Sequence, residues 1–207
     1  MNPYLRSARK RALDVLGAVL GLVLASPVLA AAALAIRFEG GGHFIYRQRR
    51  VGRDGVPFDL YKLRTMVTGA ETMGLGLIVD AGDDRITKVG GLLRRTSLDE
   101  LPNLINVLRG EMSLVGPRPT VQVQVDRYTE EQRHRLDTRP GITGWAQING
   151  RASLPWHERI ELDLVYLREA SLRHDLRILA LSVRMVVTGH GLYRGETGGW
   201  REPPRAG

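Results

Sequence analysis

Two neighbouring acids, Asp99 and Glu100, lie among arginines near the middle of the 207-residue chain. The arginines closest to them in sequence are Arg94, Arg95, Arg109 and Arg118. Carboxylates beside guanidinium groups suit phosphoryl transfer, because an acid can attack phosphorus or bind a metal ion while arginines neutralise phosphate oxygens. Consecutive helical residues point about 100° apart, so the two acids are expected to have different roles. One would be the nucleophile and the other a metal ligand or base.

A structural explanation competes with this chemical one. Ser97 and Glu100 have the spacing of a capping box, in which the serine caps a helix and the glutamate bonds back to it. That pattern gives Asp99 no role, and it puts Pro102 beyond the first helical turn, where its missing N–H breaks a hydrogen bond. Such conflicts between local rules are expected at functional sites. Both explanations stay open at this point.

Cationic residues elsewhere are candidate phosphate ligands. Lys62 and Arg64 alternate along a predicted strand and therefore share one face of it. Arg118 lies between Pro117 and Pro119, which restrict its backbone and favour a preorganised guanidinium for a diphosphate. A solvated helix face is the simpler alternative for the other arginines, Arg94, Arg95 and Arg109.

A long, largely apolar segment near the N-terminus, residues 13–36, contains a single charged residue, Asp14. As one helix it would be about 36 Å long, enough to cross a bilayer core of about 30 Å. A cleaved secretory signal is the weaker interpretation, because its apolar region is usually about 7–15 residues long. Two paths through the membrane then compete: a helix that spans it, and one that enters and leaves on the same face.

A proline and the charged flanks favour the second path. Ser26 and Pro27 lie near the middle of the segment, where a proline removes a helix hydrogen bond and kinks the chain. The serine hydroxyl can bond to backbone groups that the kink frees. Basic residues both precede and follow the segment, whereas a spanning helix has its positive flank on the cytoplasmic side. We therefore predict a re-entrant membrane helix broken at Ser26 and Pro27.

The sequence after the membrane segment indicates both strands and helices. Two short strands around a turn are predicted in residues 43–66, followed by a loop or lid at 67–91. Apolar residues then recur at helical spacing from Leu92 until Gly110, a plausible stop. A further helix is predicted at about residues 121–137.

The C-terminal part adds two amphipathic helices at 157–170 and 172–188. The second fits either core packing or the membrane interface. The fold class is therefore α+β and mostly helical, with a small β-hairpin and amphipathic interfacial helices. We expect three parts: 1–38 with the re-entrant membrane helix, 39–188 as the catalytic domain, and a disordered tail at 189–207.

Composition narrows the classes of partner. The net charge of +8 favours anionic partners such as phosphate groups, acidic lipid or nucleic acid. The chain has no cysteine, which excludes disulfides and thiolate zinc sites, and its five histidines have no metal-ligand spacing. Few aromatic residues and a long apolar segment argue against a nucleic-acid binder. A basic scaffold protein at the membrane surface is the non-catalytic alternative.

Several long motifs, in the right order, resemble one family: the monotopic polyprenol-phosphate phosphoglycosyl transferases, which are bacterial sugar transferases. The motifs are KRALD at 10–14, YRQRRVGRDGVPFDLYKLRTM at 46–66, DDRITKVGGLLRRTSLDELPNLINVLRGEMSLVGPRP at 83–119 and RPGITGWAQINGR at 139–151. The resemblance covers roughly residues 8–185 and is to the minimal catalytic form of the family. The chain differs in having Gly42-His43 where the family often has Gly-Pro, and Leu63 where it often has Phe.

The resemblance implies the transfer of a sugar-1-phosphate from a UDP-sugar to polyprenyl (undecaprenyl) phosphate, with release of UMP. It implies a ping-pong mechanism that needs Mg²⁺. Asp99 matches the family's nucleophile, and Glu100 matches the second acid of the dyad, a metal ligand or a base. Both acids are therefore candidate Mg²⁺ ligands as well as candidate catalytic residues.

The resemblance also assigns residues around the two acids. Lys62, Arg94 and Arg118 match basic positions linked with phosphate or nucleotide binding, and Ser26-Pro27 matches the break of the re-entrant helix. The implied location is the cytoplasmic face of the bacterial inner membrane. The expected partners are the UDP-sugar, the polyprenyl phosphate and the lipid bilayer, with downstream glycosyltransferases as further candidates and no nucleic acid.

Overall fold

The computed structural model describes residues 2–40, 42–73, 83–150 and 153–188. The predicted tail at 189–207 and the middle of the predicted loop, 74–82, lie outside the described residues. The helices are α1 (Ala8–Gly40), α2 (Lys88–Arg95), α3 (Asn103–Arg109), α4 (Gln122–Val125), α5 (Glu130–Arg133), α6 (Trp145–Ile148), α7 (Trp156–Glu169) and α8 (Leu172–Thr188). The strands are β1 (Ile45–Val51), β2 (Pro57–Leu63), β3 (Ser113–Val115) and β4 (Gly141–Thr143). The prediction of a mostly helical α+β fold is confirmed.

Within the described residues, α1 is the one helix long and apolar enough to cross a membrane. Its backbone stays helical through Pro27. Because Pro27 has no N–H, the carbonyl of Val23 lacks its usual helix donor. The Ser26 hydroxyl donates to that carbonyl at 2.8 Å. The predicted role of the serine is therefore confirmed, while the re-entrant path through the membrane stays a prediction.

Both ends of α1 pack against the same domain. Near its start, Gly17 packs closely on Leu114, whose Cδ1 would lie 2.5 Å from a Cβ added at the glycine. Near its end, Ile36 is buried in a cluster with Leu93 of α2. In its last turn, Glu39 accepts the backbone N–H of Lys88 at 2.8 Å, at the start of α2. The helix thus lies along the domain instead of projecting away from it.

One face of α1 has no protein covering it. Leu20, Leu24 and Phe38 on this face are 59%, 69% and 87% exposed. Helix α8 has a similar division: Asp175 and Ile178 are buried, whereas Leu176 and Val183 are exposed. Core packing and an exposed apolar face therefore coexist in α8, which is compatible with both predictions made for it.

The predicted β-hairpin is present as the antiparallel pair β1 and β2. Tyr46 pairs with Lys62 and Arg50 pairs with Phe58, so alternate residues of both strands share one face. The turn between them contains Asp54 at φ 57°, a left-handed conformation that aspartate tolerates better than most residues. Strands β3 and β4 form a second, parallel pair.

Two predicted helices are interrupted. The predicted helix from Leu92 to Gly110 is wrong: α2 ends at Arg95, a 3-10 turn covers Leu98–Glu100, and α3 starts after Pro102. The interruption follows from Ser97 at φ 57°, which no α-helix accommodates. The predicted helix at 121–137 is also wrong, because α4 and α5 are separate and a capping box at Thr129 begins α5. The predictions of α7 and α8 are confirmed.

A buried polar cluster connects α1 to the C-terminal helices. Lys10 Nζ donates to Asp175 Oδ2 at 2.7 Å and lies 3.5 Å from Asp14 Oδ1. Ser113 Oγ donates to Asp14 at 2.8 Å, and the Tyr166 hydroxyl donates to Asp175 at 2.8 Å. Each of these five residues is at most 2% exposed. This Lys10 cluster joins α1, β3, α7 and α8 at one point of the core.

Candidate active site

The interruption between α2 and α3 positions the two acids. Ser97 in its left-handed conformation redirects the chain, and the short turn that follows presents Asp99 and Glu100. The side chain of Ser97 makes no capping hydrogen bond, so the capping-box explanation of this segment is wrong. Pro102 directly precedes the first residue of α3, where its missing N–H is no longer a defect. The conflict between local rules at this segment is therefore resolved by two helices in place of one.

Glu100 is held by two cations that are distant in sequence. Its Oε1 atom accepts from Lys62 Nζ at 2.8 Å and from Arg118 Nη2 at 2.7 Å. Burial alone would raise the pKa of Glu100, but the charges of Arg118 and Lys62 outweigh it and hold that pKa well below its usual range. Glu100 is thus an ionised acceptor that fixes the positions of both cations.

Asp99 is in a different state from its neighbour. It is 8% exposed, and its carboxylate accepts no hydrogen bond from the residues that the structure describes. Burial raises the pKa of Asp99, with the Glu100 charge adding to the effect and the Lys62, Arg94 and Arg118 charges opposing it. Opposite environments for two adjacent acids are a sign of different roles. Asp99 is the unengaged carboxylate of the pair, as a nucleophile needs to be.

Arg94 and Arg64 occupy different surroundings. Arg94, on α2, donates from Nε to the hydroxyl of buried Thr65 at 2.8 Å, and its charge acts on Asp99. Arg64 lies beside the connection between α1 and β1, where its Nη1 would be 2.9 Å from a Cβ at Gly42. The structure therefore associates Lys62, Arg94 and Arg118 with the acids. Phosphate binding by these three residues and by Arg64 stays a prediction.

The loop that bears Arg118 is fixed from several sides. The N–H of Gly116 donates to β4 at the Thr143 carbonyl at 2.9 Å. The Arg118 carbonyl accepts from Arg135 Nη2 at 3.3 Å, and Arg135 is itself buried and paired with Asp163 at 2.7 Å. The two prolines predicted rigidity here, but the supporting ion pair could not be found from sequence.

Arg50 is a site residue that the sequence analysis missed. Its Nε and Nη2 atoms donate to Gln48 Oε1, and its Nη1 donates to the Pro119 carbonyl at 3.4 Å. Burial, followed by the charge of Arg118, lowers the pKa of Arg50 to about 10. Strand alternation puts Arg50 on the same face as Lys62, but its position beside Arg118 depends on the contact with Pro119, which the sequence does not show.

The acids form a limited metal-binding set. The described part of the chain has no group of three or more His, Cys, Asp or Glu residues that could hold a metal ion. Mg²⁺, however, is usually bound by one or two carboxylates together with substrate phosphates and water. Asp99 and Glu100 therefore fit a metal ion that is shared with a bound diphosphate, and they do not form a cage for one.

Comparison with known proteins decides the family. The family model described as Bacterial sugar transferase matches residues 5–189. The chain belongs to the bacterial sugar transferase family. This bacterial sugar transferase is 43% identical over 183 residues to "Uncharacterized sugar transferase EpsL" of Bacillus subtilis (strain 168), covering 88% of this chain and 89% of the relative.

Two further relatives have named reactions. A UDP-glucose:undecaprenyl-phosphate glucose-1-phosphate transferase of Caulobacter vibrioides is 43% identical over 193 residues, covering 89% of this chain and 72% of the relative. A protein of the same name from Escherichia coli (strain K12) is 46% identical over 184 residues, or 84% of this chain. This bacterial sugar transferase spans only 39% of the E. coli relative, so that relative contains much sequence outside the matched part.

Proposed function

We propose that this bacterial sugar transferase transfers a sugar-1-phosphate from a UDP-sugar to polyprenyl phosphate and releases UMP. The names of the Caulobacter vibrioides and Escherichia coli relatives support the donor class and the acceptor. The observation that supports a covalent route most directly is the state of Asp99. It is buried, lacks a hydrogen bond among the described residues, and adjoins an acid already fixed by Lys62 and Arg118. This arrangement favours an enzyme over a non-catalytic scaffold protein.

The reaction proceeds in two displacements at one phosphorus atom. An Asp99 oxygen attacks the β-phosphorus of the donor, and the bond from that phosphorus to the bridging oxygen breaks, so UMP leaves with the electron pair. A phosphate oxygen of the acceptor then attacks the same phosphorus, the bond to Asp99 breaks, and polyprenyl-diphospho-sugar forms. Lys62, Arg94 and Arg118 stabilise the negative charge on the phosphoryl oxygens in both steps.

Mg²⁺ is part of the proposal. Asp99 and Glu100 would hold it together with the diphosphate. The ion, when bound, supplies further neutralisation of phosphate charge. The residues of the chain supply the nucleophile and the fixed guanidinium and ammonium groups.

The function is tested by incubating the solubilised full chain with Mg²⁺ and a panel of UDP-sugars labelled in the sugar, without acceptor. We expect at least one donor to leave label covalently on the protein and to release UMP in a burst equal to the enzyme concentration. Addition of polyprenyl phosphate should then discharge the label into lipid. A broad panel that gives neither adduct nor UMP would contradict the proposal.

We also propose that the protein is monotopic, at the cytoplasmic face of the membrane, with α1 re-entrant. Residues of α1 from Lys10 to Glu39 contact one domain, which must lie on one side of the bilayer. A straight spanning helix would have one of these ends on the opposite side. The basic flanks at both ends and the exposed apolar face of α1 agree with a helix that dips into one leaflet.

This topology gives a prediction that is independent of the chemistry. Single cysteines are introduced at partly exposed Asn2, before α1, and at exposed His43, after α1. Both should react with a membrane-impermeant maleimide only after inner-membrane vesicles are inverted. The native chain has no cysteine, so unmodified protein is the blank. Labelling of Asn2→Cys from the periplasmic side, with His43→Cys labelled from the cytoplasm, would show a spanning helix.

A further inference from the structure

Arg50 is a partly buried cation without an anionic partner. Its guanidinium donates to a side-chain amide oxygen of Gln48 and to the backbone carbonyl of Pro119, both of which are neutral. Among the residues that the structure describes, no carboxylate lies within ion-pair distance of Arg50. A charge removed from water without a counter-charge is costly, so its retention calls for an anion that the chain does not supply.

Arg118 increases the excess of positive charge around Arg50. The two guanidinium groups repel each other, and the one carboxylate bonded to Arg118 is Glu100, which also serves Lys62. Arg118 is thus bonded to Glu100 and acts by its charge on Arg50. Counted with Arg94, the cations of the site outnumber its two acids, Asp99 and Glu100. Arg50 adds a further positive charge, on which the Glu100 charge acts without forming an ion pair.

The reaction itself needs a second phosphate position. If Asp99 attacks the β-phosphorus in line, the α-phosphate of the donor must leave on the opposite side of that phosphorus. The acceptor phosphate must later enter from that same side, because it displaces Asp99. One anion-binding position could therefore serve the leaving group of the first step and the nucleophile of the second.

We propose that Arg50 and Arg118 form this phosphate subsite, which binds the α-phosphate of the nucleotide donor and, after UMP leaves, the phosphate of the polyprenyl acceptor. The inference rests on the proposed function for the identity of both ligands. The hairpin supports the assignment, since Gln48 fixes the guanidinium plane of Arg50 by accepting from two of its nitrogens. The loop supports it as well, since Arg50 also bonds at Pro119, next to Arg118.

The test compares Arg50→Gln with Arg49→Gln in the solubilised full chain. Arg49 is the neighbouring residue on the opposite face of β1, its side chain is 64% exposed, and it pairs with Asp59. Calorimetric titration with UMP should give an affinity about tenfold to a hundredfold weaker for Arg50→Gln, because a charge-assisted bond to phosphate is lost. Arg49→Gln should bind UMP with the affinity of the wild type. Uridine, which has no phosphate, should bind to all three proteins with the same affinity.

A second arm distinguishes the two phosphate sources. Wild-type adduct formed with a labelled donor is mixed with polyprenyl phosphate or with UMP, and the rate of discharge is compared with that of Arg50→Gln. Both discharges should slow in the variant. Unchanged UMP affinity in Arg50→Gln would overturn the subsite, and a loss confined to UMP would overturn its second use by the acceptor.

The folded state and the chemistry are checked separately. Arg50→Lys keeps the positive charge and should recover part of the UMP affinity. It loses the two hydrogen bonds that Arg50 donates to Gln48, so it tests the geometry of the guanidinium group even if Arg50→Gln unfolds. UMP binding needs no turnover. A wild type that binds UMP but forms no adduct would therefore refute the proposed function, whereas normal adduct with unaltered UMP binding in the Arg50 variants would refute the subsite.

Discussion

Replacement of Asp99 by Asn removes covalent labelling by a sugar-labelled UDP-sugar and lowers turnover by at least about a thousandfold. The amide that replaces the carboxylate has no nucleophilic oxygen of comparable strength, so no phosphosugar can form at this position. Asp99 accepts no hydrogen bond among the described residues and is buried, so the exchange leaves no partner unpaired. The variant should therefore unfold at a temperature close to that of the wild type, which identifies the loss as chemical.

The matched control is Asp126→Asn, an exposed carboxylate at the end of α4. It should label and turn over as the wild type does. Mass spectrometry of the labelled wild type should locate the adduct on the peptide that contains Asp99. A label that survives in Asp99→Asn, or that maps to Glu100, would assign the nucleophile to the other acid and contradict the division of roles.

Replacement of Lys10 by Met destabilises the protein by about 3–5 kcal/mol, the range found when one partner of a buried ion pair is removed. The ammonium group is the shared cation of Asp175 and Asp14, and it also donates to the Val115 carbonyl at 2.9 Å. Without it, two carboxylates at most 1% exposed in their side chains remain near each other with no positive charge to balance them. Denaturant unfolding of the solubilised protein measures the effect.

Arg9→Met is the control for Lys10→Met, since Arg9 precedes it on α1 and is exposed. We expect its unfolding free energy to change by less than about 0.5 kcal/mol. The double replacement Lys10→Met with Asp175→Asn should recover part of the loss, because it removes one uncompensated charge. A loss under about 1 kcal/mol for Lys10→Met alone would mean that water or another cation reaches the cluster.

The sequence predicted what depends on local pattern. Alternation along the hairpin predicted which face of β2 bears Lys62. The adjacent Ser26 and Pro27 predicted that the serine hydroxyl bonds to a backbone group freed by the proline, which is the Val23 carbonyl. The acids were found because two adjacent carboxylates lie among arginines, and because a capping box leaves Asp99 and Pro102 unexplained. These features are decided within a few residues of chain, where backbone sterics and hydrogen bonding act directly.

Other features depend on tertiary contacts that no short pattern contains. Leucines continue at helical spacing across Ser97, so periodicity alone cannot reveal its positive φ. Arg118 reaches Glu100 from 18 residues away, and Arg135 supports Arg118 from another element. The position of Arg50 requires the strand register and the loop after β3 together. The sequence therefore identified Lys62 and Arg118 as candidates, but their shared contact with Glu100 depends on the tertiary fold.

The Lys10 cluster has a consequence for protein engineering. Truncation is a common way to make a membrane enzyme soluble, and a cut near residue 39 would follow the domain boundary that the sequence predicts. Such a cut would remove Lys10, the ion-pair partner of Asp175, and Asp14, which accepts a hydrogen bond from Ser113. It would also remove Ala18 from the main hydrophobic cluster. One side of the apolar helix is thus part of the structural core, and the other side exposes apolar residues. Soluble variants are better sought by replacing those exposed apolar residues with polar ones than by deleting the helix.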